Sequence, residues 1–167
     1  KDEFGGDDLH DVIKLLDFID LCSFADKDHI VMIGESRGSI MTFEIIRMDE
    51  RVKAAIVTGS VPDLVAVYNQ RDDAMKGVLV YRVGGTPEEV PAEYTKRSAI
   101  QWVEEINIPL LIFHTVDDTR APIGPVDEFV WLLESLGKEV TYVRREVGGH
   151  GWSDEEMILE FFNKYTR

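Results

Sequence analysis

The sequence predicts an α/β fold with a mostly parallel sheet flanked by helices on both faces. Short apolar runs rich in β-branched residues alternate along the chain with segments whose apolar residues recur at helical spacing. Four buried strands are expected, at residues 30–33, 54–58, 110–113 and 140–143. Polar residues capable of chemistry follow three of these strands directly, and such sheets bind ligands at the carboxyl ends of their strands. We therefore expect one site at that edge of the sheet.

Length, charge and cysteine content limit the class of protein and its partners. A chain of 167 residues with 44% hydrophobic and 30% charged residues is expected to be one soluble globular domain. The formal charge of −14, from 32 acidic and 18 basic residues, argues against nucleic acid or an anionic membrane surface as a partner. Cys22 is the only cysteine, which excludes an internal disulfide. The chain begins at Lys1 without a signal-like segment, and the cytoplasm is favoured over secretion.

The first and last helices carry recognisable patterns. Asp7 or Asp8 can cap the first helix. The last helix, over residues 154 to about 165, is expected to begin with a capping box formed by Ser153 and Glu156. The first helix should bury a broad apolar stripe, made of Leu9, Val12, Leu15, Leu16, Phe18 and Ile19.

Residues 61–101, between the second and third strands, form the least regular part of the chain. A helical stretch is expected over residues 64–75, followed by glycine- and proline-containing turns. We interpret residues 1–167 as a single domain and residues 61–101 as an insert. This insert is a candidate cap over the site.

A glycine–serine turn follows the first strand. The residues Gly34-Glu35-Ser36-Arg37-Gly38 come directly before a helical pattern. A nucleophilic serine needs this context, because a tight strand-to-helix turn exposes its hydroxyl and the two glycines let strand and helix approach closely. The N–H of Arg37, at the start of the helix, can then stabilise an oxyanion. The same residues can also form a plain turn without chemistry.

A base and an acid for this serine follow later strands. His150 lies in the glycine-rich loop of residues 148–151, where its ring can be placed freely against a neighbour. An imidazole can take the proton of a serine hydroxyl, and a carboxylate holds the imidazole in the required tautomer. Asp117 and Asp118 both follow the third strand, and the bare sequence does not choose between them. His114, which ends that strand, is expected to be structural.

Five blocks of the sequence match, in order, the motifs of one enzyme family. Residues 1–8 resemble the segment that commonly opens the helix before the nucleophile strand, and residues 28–38 resemble Asp-x-x-Arg-Ile…Gly-x-Ser-x-Gly. Residues 97–100 resemble Arg-Ser-Pro-Ile, residues 114–122 resemble His-Gly-x-x-Asp-x-x-Val-Pro, and residues 149–152 resemble Gly-His-Gly-Phe. Together they resemble the catalytic domain of the prolyl oligopeptidase family, the S9-type serine peptidases of the α/β-hydrolase fold, and its esterase-like relatives.

The resemblance implies a catalytic triad of Ser36, Asp118 and His150. In the family pattern the catalytic aspartate is the fourth residue after the histidine of its block, which selects Asp118 over Asp117. This sequence departs from the pattern at several positions, namely His29 for arginine, Ser39 where a glycine is common, Thr115 for glycine and Ala121 for valine.

The same resemblance implies that this chain is the carboxyl-terminal part of the hydrolase domain, with the amino-terminal strands absent. Those strands and a loop with the second oxyanion donor precede this point in the family, and the nucleophile strand is central in its sheet. We therefore expect an uncovered sheet edge next to Ser36. A missing amino-terminal segment or a second copy of the chain is expected to cover it.

The expected function is a serine hydrolase that cleaves a small ester or peptide substrate through an acyl-enzyme. No histidine–carboxylate spacing of a metal site occurs, and neither a metal nor another cofactor is expected. The sequence does not choose between peptide and ester. One alternative is a non-catalytic binding protein with the α/β-hydrolase fold. Another is a Rossmann-like nucleotide binder, which would need a Gly-x-Gly-x-x-Gly turn that the sequence lacks.

Overall fold

The computed structural model describes residues 2–166, whose four strands pair as one parallel sheet in the order β1-β2-β3-β4. The predicted alternating α/β organisation is confirmed. Within residues 2–166 the strands are β1 Ile30–Glu35, β2 Val52–Thr58, β3 Leu110–Thr115 and β4 Val140–Arg145. The helices are α1 Leu9–Leu21, α2 Arg37–Met48, α3 Leu64–Gln70, α4 Asp73–Val83, α5 Pro91–Lys96, a 3₁₀ helix Ala99–Glu105, α6 Ile123–Ser135 and α7 Glu155–Tyr165.

Strands β2 and β3 form the buried centre of the sheet. All six residues of β3 are buried, as are six of the seven residues of β2. Strands covered on both faces bury both sets of side chains, which explains their nearly continuous apolar sequence. One face packs against α1, α2, the 3₁₀ helix and α6 through residues such as Phe43 and Phe129. The other face packs against α7 through Phe161.

Strand β1 is an edge strand. Within the described residues it pairs with β2 alone, and Ile33 on this strand is 55% exposed. On α1, Leu15 and Phe18 are 63% and 62% exposed. The prediction that these two residues widen the buried stripe of α1 is therefore wrong for this chain, because no element among residues 2–166 covers their side chains. The expected uncovered edge is present.

Two helix starts differ from their predictions. The Asp8 carboxylate precedes α1, but it makes no cap bond to the helix and instead accepts the N–H groups of Glu3 (3.0 Å) and Gly6 (2.8 Å). Helix α7 begins one residue later than expected. Asp154 is therefore its cap and accepts the N–H of Met157 (3.1 Å), so the predicted Ser153–Glu156 capping box is wrong.

The insert of residues 61–101 contains three α-helices and the first residues of the 3₁₀ helix, rather than one helical stretch over 64–75. Helices α3 and α4 are separate because Asp72 caps α4, where its carboxylate accepts the N–H of Met75 (2.8 Å). A second, smaller core holds the insert against the rest of the domain and includes Leu79, Tyr94 and Ile40 of α2. The insert is thus attached to the helix that follows Ser36. Its role as a cap stays a prediction.

Candidate active site

Ser36 lies on a strained turn between β1 and α2. Its φ of 53° and ψ of −117° are values that residues with a side chain rarely adopt. The N–H of Ser36 donates to the carbonyl of Thr58 in β2 (2.9 Å). Its carbonyl accepts both the N–H (2.9 Å) and the hydroxyl (2.6 Å) of Ser39, whose hydroxyl in turn accepts the N–H of Val61 (2.8 Å). These bonds hold the strained turn in place, and Ser39 contributes to them.

The two glycines of the turn have different roles. A Cβ atom at Gly34 would lie 2.3 Å from Oγ1 of Thr42 and 2.5 Å from the carbonyl oxygen of Gly38. A Cβ atom at Gly38 would meet nothing within 4 Å among the described residues. The prediction that both glycines allow β1 and α2 to approach closely is right for Gly34 and wrong for Gly38.

Arg37 is the first residue of α2. Its N–H therefore has no acceptor within the helix, which is the condition for an oxyanion donor. Its guanidinium pairs with Asp2 and lies 5.6 Å from the centre of the Phe4 ring. The opening segment, residues 2–8, is thereby attached to the start of α2. The oxyanion role of the Arg37 N–H stays a prediction.

Asp118 and His150 form a hydrogen-bonded pair at the carboxyl edge of the sheet. Nδ1 of His150 lies 2.8 Å from Oδ2 and 3.0 Å from Oδ1 of Asp118. The buried Asp118 carboxylate also accepts the N–H groups of Arg120 (2.8 Å) and Ala121 (3.0 Å). Burial alone raises the pKa of Asp118, but the Ala121 N–H and the His150 bond lower this pKa overall. An ionised carboxylate beside Nδ1 keeps the proton of the neutral ring on Nδ1. Nε2 is then left as the acceptor nitrogen.

The neighbouring Asp117 contacts the glycine-rich loop instead of the imidazole ring. Its exposed carboxylate accepts the N–H groups of Gly148 (3.1 Å) and Gly149 (2.8 Å). The Gly149 N–H is the main cause of the lowered pKa of Asp117. The hydroxyl of Thr115 donates to the Gly149 carbonyl (3.0 Å). Asp117 and Thr115 thus connect the loop to the end of β3, and Asp118 is the aspartate that meets the ring.

His114 is buried and held by two backbone groups. Its Nδ1 accepts the N–H of Ser60 (3.1 Å), and its Nε2 donates to the carbonyl of Ala121 (3.1 Å). One donating and one accepting nitrogen describe a neutral ring. Burial is the main cause of the lowered pKa of His114 and favours the same neutral form. These contacts agree with the structural role expected for this residue.

Gly59, directly after β2, is a site residue that the sequence analysis did not single out. Its φ is 53°, and a Cβ atom there would lie 3.0 Å from Cε1 and 3.1 Å from Nδ1 of His150. A Cβ atom at this position would crowd the imidazole ring and would strain the backbone at its positive φ. The only signal in the sequence is a glycine at the carboxyl end of a buried strand. Thr58, the residue before it, accepts the Ser36 N–H, so Ser36 and His150 border the same two residues.

The structure brings Ser36, Asp118 and His150 to the same edge of the sheet. No hydrogen bond joins the Ser36 hydroxyl to His150 in the described part of the chain. Such bonds are often long in the absence of substrate and tighten when substrate binds. The position of the three residues agrees with the predicted triad, and their catalytic roles stay predictions.

A pocket of about 340 Å³ opens next to Ser36. Its apolar walls belong to α2 and to the insert, and consist of Ile40, Val61, Leu64, Val67, Met75 and Leu79. Phe4 of the opening segment and the residues Arg37, Arg71 and Arg120 complete the lining. An apolar cavity with a few convergent polar groups beside a reactive side chain is the usual form of a small-molecule site.

Residues 2–166 have neither a metal-binding cluster nor a membrane-spanning helix. This part of the chain holds no cluster of three or more histidine, cysteine, aspartate or glutamate side chains that could bind a metal ion. It also contains no helix that is long and apolar enough to cross a membrane.

Comparison with known proteins shows similarity to peptidases along nearly the whole chain. Residues 1–166 match the model of the prolyl oligopeptidase family. The chain is 29% identical over 141 residues to an uncharacterized peptidase of Bacillus subtilis (strain 168), YtmA, a match that covers 84% of this chain and 53% of that protein. It is 26% identical over 154 residues to a second uncharacterized peptidase of the same organism, YuxL, covering 92% of this chain and 23% of that protein. This chain therefore spans about half the length of one relative and about a quarter of the other.

Solved structures share the fold. The uncomplexed acylaminoacyl peptidase of Pyrococcus horikoshii aligns with a TM-score of 0.85 at 25% identity, over 99% of this chain and 28% of that one. The predicted α/β-hydrolase fold is confirmed by this similarity.

Proposed function

Because this chain belongs to the prolyl oligopeptidase family, we propose that it carries the catalytic residues of a serine hydrolase. The observation that best supports this proposal is the hydrogen-bonded pair of Asp118 and His150, which lies beside the strained Ser36 turn. Backbone strain at a serine is expected where the hydroxyl must be exposed for attack.

In the proposed reaction His150 acts first as a base and then as an acid. Nε2 takes the proton of the Ser36 hydroxyl while Oγ attacks the carbonyl carbon of the substrate, and Asp118 stabilises the imidazolium that forms. The N–H of Arg37 stabilises the oxyanion. His150 then gives its proton to the leaving amine or alcohol. Water attacks the resulting acyl-enzyme by the same route, which releases the acid and restores Ser36.

We propose a small peptide or acylated peptide as the substrate, with a small ester as the second candidate. The names of the relatives support the first choice, since two are described as peptidases and one as an acylaminoacyl peptidase. No cofactor takes part in the proposed steps. The proposed location is the cytoplasm, which fractionation of cells that produce the tagged protein would test.

We propose that the β1 edge is covered in the working enzyme by a segment outside this chain or by a second copy of it. The unpaired strand and the exposed Ile33, Leu15 and Phe18 support this proposal, because an uncovered apolar parallel edge favours association. The same covering segment would supply the second oxyanion donor.

Labelling with a fluorophosphonate probe tests the proposed function. We expect the full-length gene product to be labelled, the Ser36→Ala variant to lose labelling completely, and the Ser135→Ala variant to be labelled normally. Ser135 is a suitable control because it is exposed on α6, where its hydroxyl donates to the Leu132 carbonyl and bonds to no other residue of the described part of the chain. Absence of labelling in a folded full-length protein would favour the alternative of a non-catalytic binding protein.

A further inference from the structure

We propose that Ser39 is a positioning residue that fixes Ser36 relative to the apolar wall of the neighbouring pocket, so that substrates anchored in this pocket by an apolar group react fastest. The inference rests on the proposed function and deepens it, because it concerns how Ser36 meets its substrate. Neither the triad nor the family motif assigns a role to the Ser39 hydroxyl, since a glycine is common at this position of the motif.

The hydroxyl of Ser39 joins the nucleophile to the insert. It donates to the carbonyl oxygen of Ser36 (2.6 Å) and accepts the N–H of Val61 (2.8 Å). The N–H of Ser39 also donates to the Ser36 carbonyl (2.9 Å), as expected in the first turn of a helix. This backbone bond alone would hold Ser36 to α2. Only the hydroxyl connects Ser36 to Val61.

Ser39 acts on the reaction through other residues and not through contact with substrate. Its side chain is fully buried. The described residues that line the pocket include Ser36 and Val61 but not Ser39. The hydroxyl is therefore hidden behind the two residues that it connects.

The segment that leads from β2 into the insert contacts both the nucleophile and the base. The carbonyl of Thr58 accepts the N–H of Ser36 (2.9 Å), and Gly59 faces the ring of His150 at a distance that leaves no room for a side chain. Val61 then binds the hydroxyl described above. Ser36 is thus held to this segment through its N–H and, by way of the hydroxyl, through its carbonyl.

Val61 is also part of the pocket wall. Its side chain is buried in the smaller core and packs there with Ile40, Leu64 and Leu79, which line the same pocket. An apolar group of a substrate that fills the pocket would pack against this wall and would be fixed relative to it. Ser36 is fixed relative to the same wall through the Ser39 hydroxyl. The reacting carbonyl and the nucleophile are then aligned by one set of contacts.

This arrangement would convert binding in the pocket into rate. Orientation of the reacting groups contributes much of the acceleration in enzymes, and a displacement of about 1 Å can cost on the order of a hundredfold. A short acyl group that does not reach the pocket can follow a displaced Ser36, whereas an anchored group cannot. Removal of the hydroxyl should therefore slow anchored substrates selectively, because their binding energy is no longer used for orientation.

A comparison of two esters with the full-length gene product tests the inference. Stopped-flow release of 4-nitrophenolate in the first turnover gives the acylation rate for 4-nitrophenyl hexanoate and 4-nitrophenyl acetate. The wild type should be acylated at least about tenfold faster by hexanoate, since each additional CH₂ is buried in the pocket. Ser39→Ala should slow acylation by hexanoate about tenfold or more, and by acetate about threefold or less. The dissociation constant of hexanoate should change by about twofold or less, because the apolar walls are unchanged.

Thr42→Val is the matched control. Thr42 is also buried in α2, but its hydroxyl bonds to none of the described residues, so both rates should stay at the wild-type values. Ser39→Thr keeps a hydroxyl and should keep the preference for hexanoate. If Ser39→Ala does not fold, as judged by circular dichroism, Ser39→Cys gives the same comparison, because a thiol fills the space but forms only weak hydrogen bonds.

Three results would overturn the inference. They are equal losses for the two esters in Ser39→Ala, a Ser39→Ala variant as fast as the wild type with both esters, and a wild type that does not prefer hexanoate. If a fluorophosphonate labels the wild type at Ser36 and one of these results is found, the role of Ser39 is wrong and the hydrolase remains. If the wild type is neither labelled nor acylated, the proposed function is wrong and this inference is wrong with it.

Discussion

At the scale of single residues, the two adjacent aspartates that follow β3 both position His150, each through a different contact. Asp118 contacts the imidazole ring, whereas Asp117 accepts the N–H groups of Gly148 and Gly149 in the loop that carries the ring. Consecutive residues outside regular structure can point in different directions, so one segment orients both the ring and its backbone. Asp117 is accordingly a positioning residue in the proposed mechanism.

Replacement of Asp117 should therefore slow the reaction without abolishing it. We expect Asp117→Ala to reduce the rate of fluorophosphonate labelling by about tenfold to a hundredfold, because small displacements of a catalytic group have effects of this size. Labelling reactions quenched at successive times would measure the rate. Glu146→Ala removes an exposed carboxylate that pairs with Arg144 and should have no effect. Equal labelling rates for both variants and the wild type would show that Asp117 does not position His150.

His114 should make the folded protein sensitive to mild acid. Burial lowers the pKa of His114 in the folded state below the value of about 6.5 that it has when unfolded. Its contribution to stability is therefore complete above about pH 6.5 and is lost as the pH falls below that value, where the unfolded chain binds the proton more readily. The lowered pKa values of Asp117 and Asp118 change the stability of the fold only below about pH 4.

We expect the wild-type Tm to fall by a few degrees between pH 7 and pH 5, measured by circular dichroism. His114→Asn keeps an acceptor for the Ser60 N–H but removes the titrating ring. This variant should be less stable at pH 7, and its Tm should fall less than that of the wild type between pH 7 and pH 5. A decline as steep as that of the wild type would assign the acid sensitivity to another group.

At the scale of secondary-structure elements, the close contact between β1 and α2 depends on only one of the two glycines in the Ser36 turn. Gly34 faces Thr42 and the Gly38 carbonyl at distances that leave no room for a methyl group, whereas Gly38 faces open space. The spacing of the motif could not distinguish these two positions, because their surroundings come from the helix that follows.

The two alanine substitutions should thus have opposite effects on stability. We expect Gly34→Ala to destabilise the fold by about 1–3 kcal/mol through overpacking. Gly38→Ala, in the first turn of α2, should stabilise it by about 0.5–1 kcal/mol because it reduces the freedom of the unfolded chain. Urea denaturation of both variants measures the difference. Similar changes in the free energy of unfolding for the two would contradict this assignment.

At the scale of the whole molecule, the exposed β1 edge lies next to the proposed nucleophile. Ser36 directly follows β1, and that strand pairs on one side only within residues 2–166. The position of the Ser36 turn therefore depends on a strand with half of its hydrogen-bonding groups unpaired. A segment or second copy that covered this edge, as we propose, would also stabilise the site.

The 167-residue chain alone should consequently be a poor hydrolase. We expect its fluorophosphonate labelling and its turnover of 4-nitrophenyl acetate to be at least about tenfold slower than those of the full-length gene product, since loss of one oxyanion donor costs on the order of 10²–10³ in rate. Addition of the segment that we propose to cover the β1 edge should restore the rate. Turnover by the isolated chain at the full-length rate would show that the site is complete without it.

The sequence by itself determined the α/β class, the order of the four strands along the chain and the candidates Ser36, Asp118 and His150. These features rest on local patterns, such as apolar runs and a glycine–serine turn, and on motif order. The sequence also indicated an uncovered edge, through the family resemblance. Patterns of this kind can be recognised in a single sequence because each involves only a few neighbouring residues.

Only the tertiary structure decided which groups meet across the sheet. It placed Asp118 at the imidazole, as the family resemblance had implied, and Asp117 at the loop, placed Gly59 beside His150, and left Leu15 and Phe18 exposed where periodicity predicted burial. It also brought Arg71 and Arg120, which are 49 positions apart, into one pocket. Such contacts depend on how distant segments pack, and the spacing of residues along a chain does not carry that information.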